Sequence, residues 1–204
     1  MRVKTQDRRD AIIQAAMEVF SEVGFERASM SEIAARVGGS KATLYGYFAS
    51  KEELYVAAMQ EAITTQAGEI GRILDPARAD VCAVLEDFAM GYLKAVITPF
   101  VMASKRTMMG QGGASVLGPQ LYEHIERCAW TPVAAYLETL MARGDLRAAD
   151  PRIATYQLQG LLDAGLVEPS LHGVAPRLKI EDAVPLAVDA FLRIYGVRPG
   201  NPKP

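Results

Sequence analysis

Cysteine is almost absent from this chain, which has two in 204 residues, Cys82 and Cys128, too few and too far apart for a disulfide scaffold. Each sits in an apolar pattern, so both are expected to be buried thiols. Tryptophan is scarcer still, with Trp130 alone. No run of about eighteen apolar residues occurs, which excludes a membrane-spanning helix. The polar N-terminal stretch has no apolar core of the kind a secretory leader needs, so a cytoplasmic protein is expected. Neither sign of charge dominates: the formal net charge of −2 argues against indiscriminate attachment to nucleic acid. Sustained alternation of period two, internal repeats and low-complexity tracts are missing as well, which removes strands, solenoids and fibres from consideration.

What the chain does have is apolar periodicity near 3.6, recurring from end to end of a sequence that is half hydrophobic. The expectation is an all-α fold of about nine helices. The first runs from about Gln6 to Val23 and places Ile12, Ala16, Val19, Phe20 and Val23 on one stripe. Ser29 and Glu32 have capping-box spacing and open a short helix that buries Ile33, Ala34 and Val37. A third, from about Ser40 to Phe48, follows Gly38 and Gly39. Ser50 and Glu53 repeat the capping spacing and open a long fourth helix to about Leu74. Five more are expected at roughly 80–97, 99–110, 119–143, 150–170 and 181–195, divided by glycine and proline breaks. The domain expectation is a small module over 1–50, a larger helical domain over 51–197 and a disordered tail over 198–204. Charge divides along the same line, +2 over residues 1–51 and −4 over the rest, so a polyanion should approach the N-terminal end.

Two short helices across a glycine turn, braced by a longer one, make a unit able to push one helix into a DNA major groove. At about 100° per residue, Leu44 and Phe48 point together toward the braces. Ala42, Thr43 and Gly46 face away, edged by Lys41, Tyr45 and Tyr47. Small residues with long hydrogen-bonding flanks suit close approach to base edges. Half-buried packing for the tyrosines is the competing reading. Lys51 is expected beside the free N–H groups of the fourth helix's first turn, where a phosphate could bind, with a solvated charge as the competing reading.

The segment from Gly24 to Gly38, GFERASMSEIAARVG, followed by SKATLYGYFASKEEL over Ser40 to Leu54, resembles the N-terminal domain of TetR-family regulators. The resemblance covers about Arg8 to Met59. It implies a homodimer, and repression of a target promoter relieved by a small ligand. By the same resemblance Ser29, Ser31, Lys41, Ala42, Thr43, Tyr45, Tyr47 and Lys51 occupy DNA-contacting positions. Gly39 stands where the family usually carries valine and Ser29 where it usually carries threonine. Serine keeps the capping hydroxyl, whereas the glycine is expected to loosen the turn.

Beyond Glu52 the resemblance implies architecture rather than a ligand. The stretch from Arg106 to Pro151 is similar to the C-terminal domain of AefR-like members, although a glycine-rich segment replaces an expected proline-and-acid segment after Arg106. The last two expected helices carry Ile153, Leu158, Leu161, Leu162 and Leu166, then Val184, Leu186, Ala187, Ala190, Phe191 and Ile194; the family's two C-terminal helices meet in a four-helix dimer interface. Phe88, Tyr92, Phe100, Met102, Met109, Trp130 and Tyr136 are candidates to line a pocket for a small hydrophobic or aromatic ligand, with plain core as the competing reading. Asp163 and Glu168, in an otherwise apolar helix, are candidates to meet a ligand cation or to lie at a dimer rim or surface. A ligand wedged around Tyr92, Met109 and Trp130 is expected to tilt the fourth helix and respace two reading heads on a palindromic double-stranded operator.

Rival readings are a regulator that activates or takes no ligand, and a metal-dependent enzyme built on His124 and Cys128. These two lie at i and i+4 on one helix, but no third ligand, no nucleophile with its base and no phosphate loop accompanies them. The expectation is therefore no cofactor and no catalytic site.

Overall fold

The computed structural model describes residues 5–110 and 117–197. The tail at 198–204 and most of the glycine-rich stretch after Arg106 lie outside them. Among the described residues there are eleven α-helices, one π-helical turn and no strand. They are α1 (Gln6–Arg27), α2 (Met30–Arg36), α3 (Lys41–Tyr47), α4 (Lys51–Gly71), α5 (Val81–Val96), α6 (Pro99–Gly110), α7 (Leu117–Ile125), α8 (Thr131–Arg143), α9 (Pro151–Asp163), α10 (Val167–Leu171) and α11 (Ile180–Tyr195).

The count exceeds nine because two expected helices are interrupted, each for a local reason. Pro132 has no N–H for the carbonyl of Cys128, so the ladder cannot run straight from α7 into α8. A π-helical turn, Glu126–Trp130, absorbs the fault, and the Thr131 hydroxyl donates to the Glu126 carbonyl at 3.0 Å. Between α9 and α10 the chain turns at Gly165, whose φ of 71° a side chain would resist. Gly24, at φ 78°, likewise breaks α1 before a last turn over Phe25 to Arg27.

The described chain forms two compact units, one drawn from Met1–Thr65 with Ala103–Ile125 and the other from Gln66–Met102 with Glu126–Pro204. In the first, α2 packs against α1 and α3, and Ile12, Ala16, Val19, Phe20, Ile33, Leu44, Phe48 and Leu54 close the core. Phe20, Phe25 and Tyr55 form an aromatic cluster, Phe20 and Tyr55 edge to face at 5.0 Å. In the second, α11 packs on α5 and α9, and α9 on α8, around Leu85, Leu93, Leu137, Leu140, Leu158 and Phe191. Each such side chain contributes about 1.5–3 kcal/mol by leaving water. No helix of the described residues is long and apolar enough to cross a membrane. The two cysteines depart from the expected burial. Cys82 is exposed in the first turn of α5, whose buried residues begin only at Val84, and Cys128 is half-buried in the π turn.

Candidate nucleic-acid interface

Three serine caps open α2, α3 and α4 in the N-terminal unit. The Ser29 hydroxyl accepts from the Glu32 N–H at 3.1 Å and opens α2; Ser40 accepts from the Thr43 N–H at 3.0 Å and opens α3. Ser50 accepts from the Glu53 N–H at 3.1 Å, and the Glu53 carboxylate accepts from the Ala49 N–H at 2.6 Å. These bonds satisfy orphan amides at each helix start and set the entry of α2, α3 and α4. Leu44 and Phe48 are buried, so α3 presents the opposite side outward. Lys41, Ala42, Tyr45 and Gly46 are exposed there and Thr43 and Tyr47 half-buried. Tyr45 keeps 47% of its surface accessible, with the Lys41 ammonium 5.8 Å from its ring. Ser29 and Ser31 are exposed at the start of α2.

Two residues of this set make contacts that the sequence did not foresee. Tyr47 accepts from the Thr5 N–H at 3.3 Å, which joins the end of α3 to the start of α1. Lys51 is turned away from the first turn of its own helix. Its ammonium donates to the carbonyls of Phe25 at 2.8 Å, Ala28 at 3.2 Å and Glu26 at 3.4 Å, and lies 4.3 Å from the Phe25 ring centre. Its three protons are thus directed at the carbonyl end of α1, where a cation is favoured by the helix dipole. The expected free ammonium beside α4 is not what this arrangement offers.

The glycine turn before α3 holds a further cation. Arg8, in the first turn of α1, donates from Nη2 to the Gly38 carbonyl at 3.2 Å. A Cβ on Gly39 would stand 2.8 Å from that nitrogen. The guanidinium fills the place of the missing side chain, so the glycine makes room for a contact.

In the second unit Phe88, Tyr92 and Trp130 come together. Tyr92 and Trp130 are edge to face at 5.0 Å, and Phe88 lies 6.4 Å from each. The Tyr92 hydroxyl donates to Asp163 at 2.8 Å. Burial, then the adjacent carboxylate, push the Tyr92 pKa far above the ordinary phenol range. Asp163 therefore turns inward onto an aromatic cluster, whereas Glu168 is exposed. Met102 is buried and Phe100 half-buried. Met109 departs from its expected place in the pocket: it is 71% exposed. It shares a helix face with Met102, but lies two turns, about 10 Å, farther along. Tyr136 is buried with its hydroxyl unpartnered, and the charges that act on it are those of Arg78, Arg143, Asp145 and Asp75 rather than Asp163.

His124 is held by α4. Its Nε2 lies 2.9 Å from the Thr64 hydroxyl and 3.0 Å from the Gln60 carbonyl. No group of three potential metal-ligating side chains occurs among the described residues.

Residues 12–58 match the profile described as bacterial regulatory proteins, tetR family, and residues 83–197 that of the AefR-like transcriptional repressor, C-terminal domain. The chain belongs to the TetR family. Its N-terminal profile is that of the family's helix-turn-helix DNA-binding domain, and the family is one of transcriptional regulators. The transcriptional activator FasR of Mycolicibacterium smegmatis is 48% identical over 59 residues, which cover 29% of this chain and 27% of FasR. A TetR-family regulator from Mesorhizobium loti shares the fold at 23% identity, with a TM-score of 0.82 over 95% of this chain and 100% of that one. The flavonoid-responsive regulator FrrA is 28% identical, with a TM-score of 0.67 over 96% of this chain and all of its own.

Within this TetR-family chain, Arg8, Thr5 and the inward role of Asp163 were missed. Arg8 and Thr5 reach α3 only through the tertiary fold, across gaps of 30 and 42 residues. Gly39 was the one available sign of Arg8, because it stands where the family usually carries valine and its missing side chain leaves the room that the guanidinium takes.

Proposed function

We propose that this chain is a cytoplasmic homodimeric repressor that grips a palindromic operator with two copies of α3 and is released by a small aromatic ligand. The outward face of α3 carries the reading. Ala42 and Gly46 allow close approach, and Lys41, Thr43, Tyr45 and Tyr47 supply donors at its edges. Dimerisation through α9 and α11 is supported by the apolar side chains these helices leave uncovered. Ile153, Leu186 and Ile194 keep 51%, 62% and 42% of their surface accessible, although Leu158, Leu162, Val184 and Phe191 of the same helices are buried within the chain. The Phe88, Tyr92 and Trp130 cluster supports an aromatic ligand, and the likeness to a regulator named flavonoid-responsive agrees with that choice.

The test uses Trp130, the only tryptophan. A panel of flavones is titrated while its fluorescence is followed, with and without a duplex selected by the protein from a randomised library. Binding should quench Trp130, and saturating duplex should weaken it by roughly 5- to 150-fold, the usual size of such coupling. A dissociation constant unchanged by DNA would leave this half of the chain a dimerisation scaffold. Activation is the second reading, favoured by the likeness of the N-terminal segment to an activator. A reporter placed behind the selected site separates the two by the sign of its response.

A further inference from the structure

We propose that Arg8 is a phosphate-backbone contact of the reading head, posted at the turn before α3 by the missing side chain of Gly39. The inference rests on α3 being the helix that enters the groove. When a helix enters by its N-terminal end, the turn ahead of it lies close to the phosphates at the groove's edge. Arg8 is held at that turn. Its Nη2 donates to the Gly38 carbonyl, and a Cβ on Gly39 would stand 2.8 Å from Nη2 and 3.9 Å from Cζ. That one bond uses one of five guanidinium donors. No carboxylate among the described residues lies within ion-pair distance of Arg8. The remaining planar fork matches a phosphate.

Apart from Lys41, which lies on the reading face itself, three other cations of the unit are committed elsewhere. Arg9 covers the Phe48 ring at 5.1 Å. Arg36 is bidentate on Glu22 at 2.6 and 2.7 Å, and Lys51 caps α1. Arg8 also sits one turn beyond Thr5, whose N–H donates to Tyr47 of α3. The start of α1 and the recognition helix are thus tied into one surface.

The probe is a duplex selected by the wild-type protein from a randomised library, with a second duplex of unselected sequence beside it. Arg8→Ala should make the slope of log affinity against log salt shallower by about 0.9 and weaken both duplexes about eightfold at 0.1 M salt, the share of one phosphate contact. Gly39→Val should do the same, because Nη2 is the end of a flexible side chain and yields to the new group without unfolding the head. Gly39→Ala, which carries the offending Cβ alone, serves if valine perturbs melting. In the Arg8→Ala background either change at Gly39 should cost nothing more. An unaltered slope in Arg8→Ala overturns the inference, and so does a Gly39→Val loss that is the same with or without Arg8. If Lys41→Ala and Thr43→Ala abolish preference for the selected duplex while Arg8→Ala is silent, only this inference fails. If none of the three alters binding, the reading of α3 fails with it.

Discussion

At Tyr92 a phenol and a carboxylate share a largely dry site. Ionising the phenol there would set two negative charges side by side, so its pKa in the folded chain lies well above the ordinary value of about 10. Tyr55 and Tyr136 are raised too, in both cases chiefly by burial. A raised folded-state pKa contributes stability in full below the unfolded value, and that stability is lost as pH climbs past it. The contribution of these three phenols should therefore hold up to about pH 10 and fall above it, with Tyr92 resisting ionisation the longest. Phenolate absorbance followed alongside circular dichroism would check this. Tyr92→Phe should cost about 1–3 kcal/mol near neutral pH, because the hydrogen bond from its hydroxyl to Asp163 is lost, and should lessen the alkaline loss. Lys51 gives a second prediction at this scale. Lys51→Met should lower stability by about 1–2 kcal/mol through the carbonyls it leaves uncapped. It should leave the salt slope of DNA binding unchanged; a slope shallower by about 0.9 would return Lys51 to phosphate binding.

Among the elements, α3 is the one whose two sides are asked to do opposite things. Leu44 is fully buried and Tyr45, the next residue, is half accessible. Leu44→Ala should destabilise the head by about 2–5 kcal/mol through the cavity it leaves. Tyr45→Ala should stay within about 0.5 kcal/mol of the wild type and still weaken DNA binding. Denaturant melts and gel-shift titrations of the same two variants would separate packing from recognition. The same division runs through α9 and α11. Their buried sides hold the second unit together, and Phe191→Ala should cost about 3–5 kcal/mol. Their accessible sides carry Ile153 and Leu186, which keep half or more of their surface in contact with water in the isolated chain.

For the molecule as a whole those accessible sides decide assembly. A pair of carboxylates introduced by Ile153→Glu and Leu186→Glu would face their symmetry mates across the proposed two-fold interface, where unpaired charge is costly. The double variant should sediment as a monomer, fold normally, and protect only half of a palindromic site in footprinting. A variant that remains a dimer and protects the whole site would place the interface elsewhere.

Much of the reading head was legible from residue order alone, because its determinants are local. Apolar spacing, serine caps and glycine turns operate within a few residues, and they set where α1 to α4 begin, which side of α3 is buried and which family the chain belongs to. The long helices after residue 117 were less legible. Pro132 and Gly165 interrupt them, but whether such a residue bends, splits or ends a helix depends on what packs against it. The apolar residues of α9 and α11 look alike in one dimension; only the packing of α11 on α5 and α9 sorts Leu158 and Phe191 into core and Ile153 and Leu186 to the surface. The tertiary structure alone decided the long-range polar contacts: Lys51 on the end of α1, Arg8 over Gly39, and Tyr92 on Asp163. Such bonds join residues far apart in the chain, and a donor's sequence neighbours carry no information about which distant carbonyl or carboxylate the fold will bring to it.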